Sequence, residues 1–300
     1  MKVILLTLVL LLSLPAGMKA TLFRFVFVDE ATITEMQPAL EAAALRLEKL
    51  LETRLPDTVT VVIVETKAEF DSVAGGLLPE WGAAVAISPR NLMVLRAPLM
   101  NNYPGNTTNL LQHELAHIAL YHRTGGVRIP RFLDEGFACW FAGQWYFANV
   151  TTVAKAQLTK SLFPLRRIDR VNAFHQAEAR LAYSQSYLVV FYIYDHFGEL
   201  AWLELLDALT AGQNLDEACR SAFNIPFWQF EADYRRFLSD NYTIFAILSD
   251  SMGLWIVLAI VVIAGYIIIK RRKKNAIERW KEEEKLESTD FDYDESSPWD

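Results

Sequence analysis

Apolar residues recur along this chain in two rhythms, every second position or every third to fourth, and the rhythm changes at proline and glycine. Leu22–Val28 alternates and is rich in aromatic and branched side chains, which predicts a strand. Thr34–Arg54 places Leu40, Ala43, Ala44, Leu47, Leu50 and Leu51 at helical spacing, and Pro56 stops the run. Thr58–Glu65 predicts a strongly branched strand, and Lys67–Val73 a short helix ended by Gly75-Gly76. Ala83–Ser88 and Asn91–Arg96 predict two strands joined by a turn at Pro89-Arg90. A helix over 107–122 follows directly. Asn106-Thr-Thr108 offers capping side chains, Leu110, Leu111, Leu115 and Ile118 supply the apolar stripe, and Gly125-Gly126 permits the left-handed turn that closes a helix. Pro130 suits the start of a second helix, where a missing N–H goes unnoticed. This order predicts an α+β fold: a small mixed β-sheet with helices over 21–128, then a mainly helical half over 129–250. No internal repeat is evident.

The two ends follow neither rhythm. Met1-Lys2 precedes an uncharged, mainly apolar run from Val3 to Leu14, then Pro15-Ala-Gly and Ala20, the pattern of a secretory signal peptide over 1–20. Met252–Ile269 is 18 residues without a charge, with Trp255 near one end and Tyr266 near the other, followed at once by Lys270-Arg-Arg-Lys-Lys274. Such a run can cross a hydrocarbon layer of about 30 Å, and the basic cluster belongs on the cytoplasmic side. One transmembrane helix is therefore expected over 251–269, held in the lipid bilayer of the cell membrane. Residues 21–250 would then lie outside, with a cytoplasmic tail over 270–300. That tail turns from basic to acidic and reads as a short helix fading into disorder.

Setting both ends aside leaves about 230 residues, enough for one domain with a substantial core. The net charge is −7, and with no basic stripe away from the membrane edge, nucleic acid is not expected as a partner. The two cysteines, Cys139 and Cys219, could form one disulfide or remain two buried thiols.

The chemistry is concentrated in two short segments. Residues 113–117 read His-Glu-Leu-Ala-His, and 18 positions past the second histidine Glu135 sits inside Phe132-Leu-Asp-Glu-Gly-Phe-Ala138. Histidines four apart on a helix stack on one face, so both imidazoles can grip one ion. Glu114 borders the same patch and can deprotonate a metal-activated water. A helical hairpin turning at Gly125-Gly126 would bring Glu135 back to complete a His2Glu set, which leaves one zinc position open. One Zn2+ per chain is thus expected on His113, His117 and Glu135, with Glu114 as general base. The competing reading is an ordinary amphipathic helix with surface histidines.

Together the two segments resemble the gluzincin zinc metallopeptidases, most nearly the peptidase-MA-like families, with a second motif similar to that of the aminopeptidase N group. The resemblance implies metal-ligand roles for His113, His117 and Glu135, a general-base role for Glu114, and a peptide or protein substrate, neighbouring membrane or envelope proteins included. It further implies a substrate-binding strand at a sheet edge, for which Asn91–Arg96 has a suitable position, and a tyrosine or histidine from the helical half that stabilises the oxyanion. Leu181-Ala-Tyr-Ser-Gln-Ser-Tyr187, leading to Tyr194-Asp-His-Phe-Gly198, resembles the helix that follows the motifs in peptidase-MA-like proteins; Tyr183 is the candidate and Tyr187, one turn on, its rival. Two departures stand out. Asp134 occupies a position where aminopeptidases usually have asparagine, and the Gly-x-Met-Glu-Asn segment that binds a free amino terminus is missing, which argues against exopeptidase action. The function expected is a membrane-anchored, extracytoplasmic zinc metallopeptidase. Its alternatives are a non-catalytic, zinc-stabilised binding or adhesion ectodomain, and a zinc hydrolase of a non-peptide bond.

Overall fold

In the computed structural model, residues 20–76, 82–97, 107–144, 150–242 and 252–287 are described. They fall into two compact units, Met1–Ile244 and Phe245–Asp300. The signal-peptide segment, apart from Ala20, and residues 288–300 of the predicted tail lie outside the described residues.

The first unit opens with β1 (Leu22–Val26), α1 (Glu30–Leu50), β2 (Thr58–Val64) and α2 (Lys67–Ala74), then the hairpin of β3 (Ala84–Ile87) and β4 (Leu92–Arg96). The sheet order is β1-β2-β4-β3, with β1–β2 and β2–β4 parallel and β3–β4 antiparallel. The mixed sheet expected from the sequence is therefore present. Helix α1 starts at Glu30, four residues before the apolar stripe suggested. The Asp29 carboxylate accepts the Thr32 N–H at 2.9 Å, so an N-cap defines this end. Helix α2 is opened by a capping box between Thr66 and Glu69 and closed by Gly75 in the left-handed region, at φ 78°. Val62, Val64, Phe70, Leu92 and Val94 pack together on one face of the sheet.

One expectation is corrected here. Asn91–Arg96 was the candidate for the substrate-binding edge strand, with a merely structural strand as the alternative; β4 lies inside the sheet between β2 and β3, and β3 forms the edge beside it. The reason is visible in composition. Leu92, Met93, Val94 and Leu95 are all buried, and a strand apolar on both faces needs cover on both sides. The smaller Ala84-Val-Ala-Ile87 is half-buried throughout, which suits an edge.

Among the described residues, α3 (Thr107–Arg123) follows the hairpin, and the helical half then supplies α4 (Arg131–Phe141), α5 (Val150–Leu158), α6 (Gln176–His196), α7 (Gly198–Thr210), α8 (Leu215–Phe223) and α9 (Phe227–Asn241), with a 3-10 stretch over Leu165–Ala173. Gly125 and Gly126 take the predicted left-handed turn, at φ 58° and 82°, and Pro130 caps α4. Helices α4 and α6 approach so closely that a Cβ on Gly136 would lie 2.3 Å from the Ser186 carbonyl oxygen. Phe137 stacks on the fully buried Trp202, and the Tyr234 hydroxyl donates to the Gln185 carbonyl at 2.9 Å. Cys139 and Cys219 are both buried free thiols.

Among the described residues, the second unit contains one helix, α10 (Met252–Glu287). It runs on through the basic cluster where a short separate helix was expected, and Lys274 and Glu278 face each other at i,i+4, 3.8 Å apart. The predicted transmembrane helix is not found: among the described residues no helix is long and apolar enough to cross a membrane. Side chains are described from Trp255, and from there only the 15 residues to Ile269 precede the first lysine. The large apolar side chains in this stretch are exposed.

Candidate metal centre and active site

Helix α3 sets the centre because its stripe of Leu111, Leu115 and Ile118 is buried, which fixes the rotation of the helix and turns the opposite ridge towards a cavity. On that ridge His113 and His117 stand one turn apart, ring centroids 4.8 Å and Nε2 atoms 3.1 Å from each other. The turn at Gly125-Gly126 brings α4 back alongside, and its Glu135 Oε2 lies 3.4 Å from His113 Nε2 and 3.6 Å from His117 Nε2. The three ligand atoms lie within 4.8 Å of one another. The ordinary surface-histidine helix is thereby set aside: both imidazoles are largely covered and converge on a buried carboxylate.

The neighbours hold these groups in place. His117 Nδ1 is 2.8 Å from Asp134 Oδ1, which orients the ring with Nε2 inward. Arg131 Nη2 is 2.6 Å from Glu135 Oε1. Burial opposes charge on both site glutamates, yet their carboxyls are driven apart. Glu114 is raised, because burial outweighs the lowering by His113 and His117 and by a hydrogen bond from the Ala86 backbone. Glu135 is held well below the usual carboxylate range, because the Arg131 guanidinium and the two imidazoles overcome its burial. Burial also works against His117 carrying charge, but Asp134 and Glu135 more than offset it and raise this imidazole well above its ordinary value.

The cavity is about 550 Å3 in volume. Residues 84–87 of β3 form one wall, the α3–α4 turn another, and Tyr183 of α6 reaches it from the helical half. Burial, then the Glu135 charge, pushes the Tyr183 hydroxyl well above its normal range, so it is a proton-bearing donor at neutral pH. Tyr187 is not among the described residues that line the cavity. Of the two tyrosines that the sequence left in play, Tyr183 is the one that lines the cavity. Two participants went unnoticed in the sequence. Arg131 was legible in retrospect as a cation one helical turn before Glu135; the Ala86 N–H, a backbone group, carried no signal.

A family model described as the peptidase MA superfamily matches residues 39–240, which is 202 of the 300 residues. The chain belongs to the peptidase MA superfamily. A search of curated proteins finds no match. Membership implies a peptidase-type hydrolase whose substrates are peptides or proteins, and the match covers both the sheet-bearing and the helical half of the site. The residues of this peptidase MA chain also fit a metal ion. Two imidazole nitrogens and one carboxylate oxygen converge, and among the described residues the buried Glu135 Oε2 has no hydrogen-bond partner. A buried carboxylate oxygen facing two imidazole nitrogens suits a cation held between them.

Proposed function

We propose that this protein is a zinc-dependent metallopeptidase of the gluzincin type, with His113, His117 and Glu135 as ligands, Glu114 as general base and Tyr183 as oxyanion donor. The convergence of the three ligand atoms in the wall of a cavity that also holds Glu114 and Tyr183 carries this reading. Two nitrogens with one oxygen form the donor set of hydrolytic zinc sites. Zinc bound there supplies Lewis-acid polarisation of the scissile carbonyl and lowers the pKa of a water. Glu114, raised by burial but not locked in an ion pair, takes the proton of the attacking water and returns it to the leaving amine. Tyr183 donates its O–H to the oxygen that becomes negative as the carbonyl turns tetrahedral. The edge of β3 lies along the cavity and offers backbone groups to an extended peptide by strand addition.

The deciding experiment compares wild type with Glu114→Gln on an unbiased peptide library while zinc is counted by mass spectrometry. One zinc per chain in both, with cleavage only in the wild type, is expected. Equal cleavage by the variant would remove Glu114 from the mechanism. Zinc without cleavage in the wild type would favour a binding ectodomain or a non-peptide substrate.

The same reading places the domain outside the cell membrane, led by the signal-like Val3–Leu14 run and anchored by Met252–Ile269 with its basic flank. Its support is the uncharged 18-residue run of the sequence, helical from Met252 onward. Its substrates then include neighbouring membrane or envelope proteins. Alkaline carbonate extraction of membranes tests the anchor: the full chain stays with the pellet, and release into the supernatant would refute it.

A further inference from the structure

The two oxygens of Glu135 keep different company. Oε1 lies 2.6 Å from the Arg131 guanidinium, whereas Oε2 faces the two histidine nitrogens at 3.4 and 3.6 Å. Glu135 is 3% exposed, so water cannot readily substitute for either contact. Arg131 is itself held from behind. Its backbone N–H donates to the Asp169 carboxylate at 2.7 Å, fixing the first turn of α4 against the 3-10 stretch. Its side chain then spans one helical turn to the carboxylate, the i,i+4 geometry in which such pairs meet.

A carboxylate can grip a cation with one oxygen or with both. With both, Glu135 would crowd the position that hydrolysis needs for water. We infer that Arg131 is a positioning residue that restricts Glu135 to one ligand oxygen and so keeps that position open. This inference rests on the metallopeptidase reading. It differs from a plain stabilising ion pair, which would affect melting temperature and leave coordination unchanged.

X-ray absorption spectroscopy of the zinc-loaded full chain separates these roles, applied to wild type, Arg131→Lys and Arg131→Gln. Wild type and Arg131→Lys, whose ammonium can still engage Oε1, are expected to share one coordination shell. Arg131→Gln is expected to gain one oxygen, with kcat falling about ten- to a hundredfold and KM little changed. Arg131→Met repeats the test on an apolar stem of similar length should the glutamine variant not fold. A folded neutral variant with the wild-type oxygen count overturns the inference and leaves the metallopeptidase reading standing. Wild-type protein that takes up no zinc overturns both.

Discussion

Glu114 and Glu135 are both buried glutamates facing the same cavity, yet their surroundings act on their charge in opposite ways. Glu114 sits on α3 with burial dominant and only a backbone N–H of β3 and two imidazoles to favour its charge, so its carboxyl is raised. Glu135 sits on α4 with a guanidinium at 2.6 Å, and its charge is fixed. A group that must exchange a proton needs the first environment, and a group that must hold a cation needs the second. Opposed environments around paired acids are how one site divides labour between them.

Removing the carboxylate on the α3 side should have the largest effect: Glu114→Gln should lower kcat about a thousandfold with metal content unchanged, as read by single-turnover kinetics alongside metal analysis. On α6, which packs against α4, Tyr183→Phe should cost about a hundredfold in kcat with KM nearly constant, the signature of a donor used in the transition state. Comparable losses from Tyr187→Phe would mean the wrong ring has been chosen. Asp134→Asn should weaken metal affinity about tenfold in chelator competition, because it keeps a hydrogen-bonding group on His117 Nδ1 but loses the charge behind it. Unchanged affinity would mean that packing alone orients the ring. The smallest effect on chemistry is expected from Gly136→Ala. The added carbon meets the Ser186 carbonyl at 2.3 Å, so it should cost about 1–3 kcal/mol of stability by overpacking, seen as a lower unfolding midpoint. If the midpoint is unmoved, the α4–α6 contact is softer than it looks.

Much of this was legible in the sequence because the strongest signals are local. The His113–His117 spacing needs only a helix, and a helix needs only its caps and its stripe. Glu135 was legible because Gly125-Gly126 and Pro130 punctuate the turn that returns it. Tyr183 could not be separated from Tyr187 by spacing, since both lie on one face of α6; only the packing of α4 against α6 decides which ring reaches the cavity. The strand order failed for a related reason. Sequence order placed the Asn91–Arg96 strand next to the metal helix, whereas burial of Leu92–Leu95 drew it inside the sheet and left the smaller strand outside. The Ala86 N–H belongs to that displaced edge, and no side-chain pattern could announce it.

The strand left outside is also short. At four residues, and about 3.3 Å of rise for each, β3 is a ledge roughly 13 Å long. A polypeptide lying along it is gripped over about four residues and is free of it beyond. Lengthening a substrate on that side should therefore improve KM only until the ledge is filled, and further residues should add little. The protein would act less as a reader of long sequences than as a gauge of short extended stretches, open to any chain that can present one.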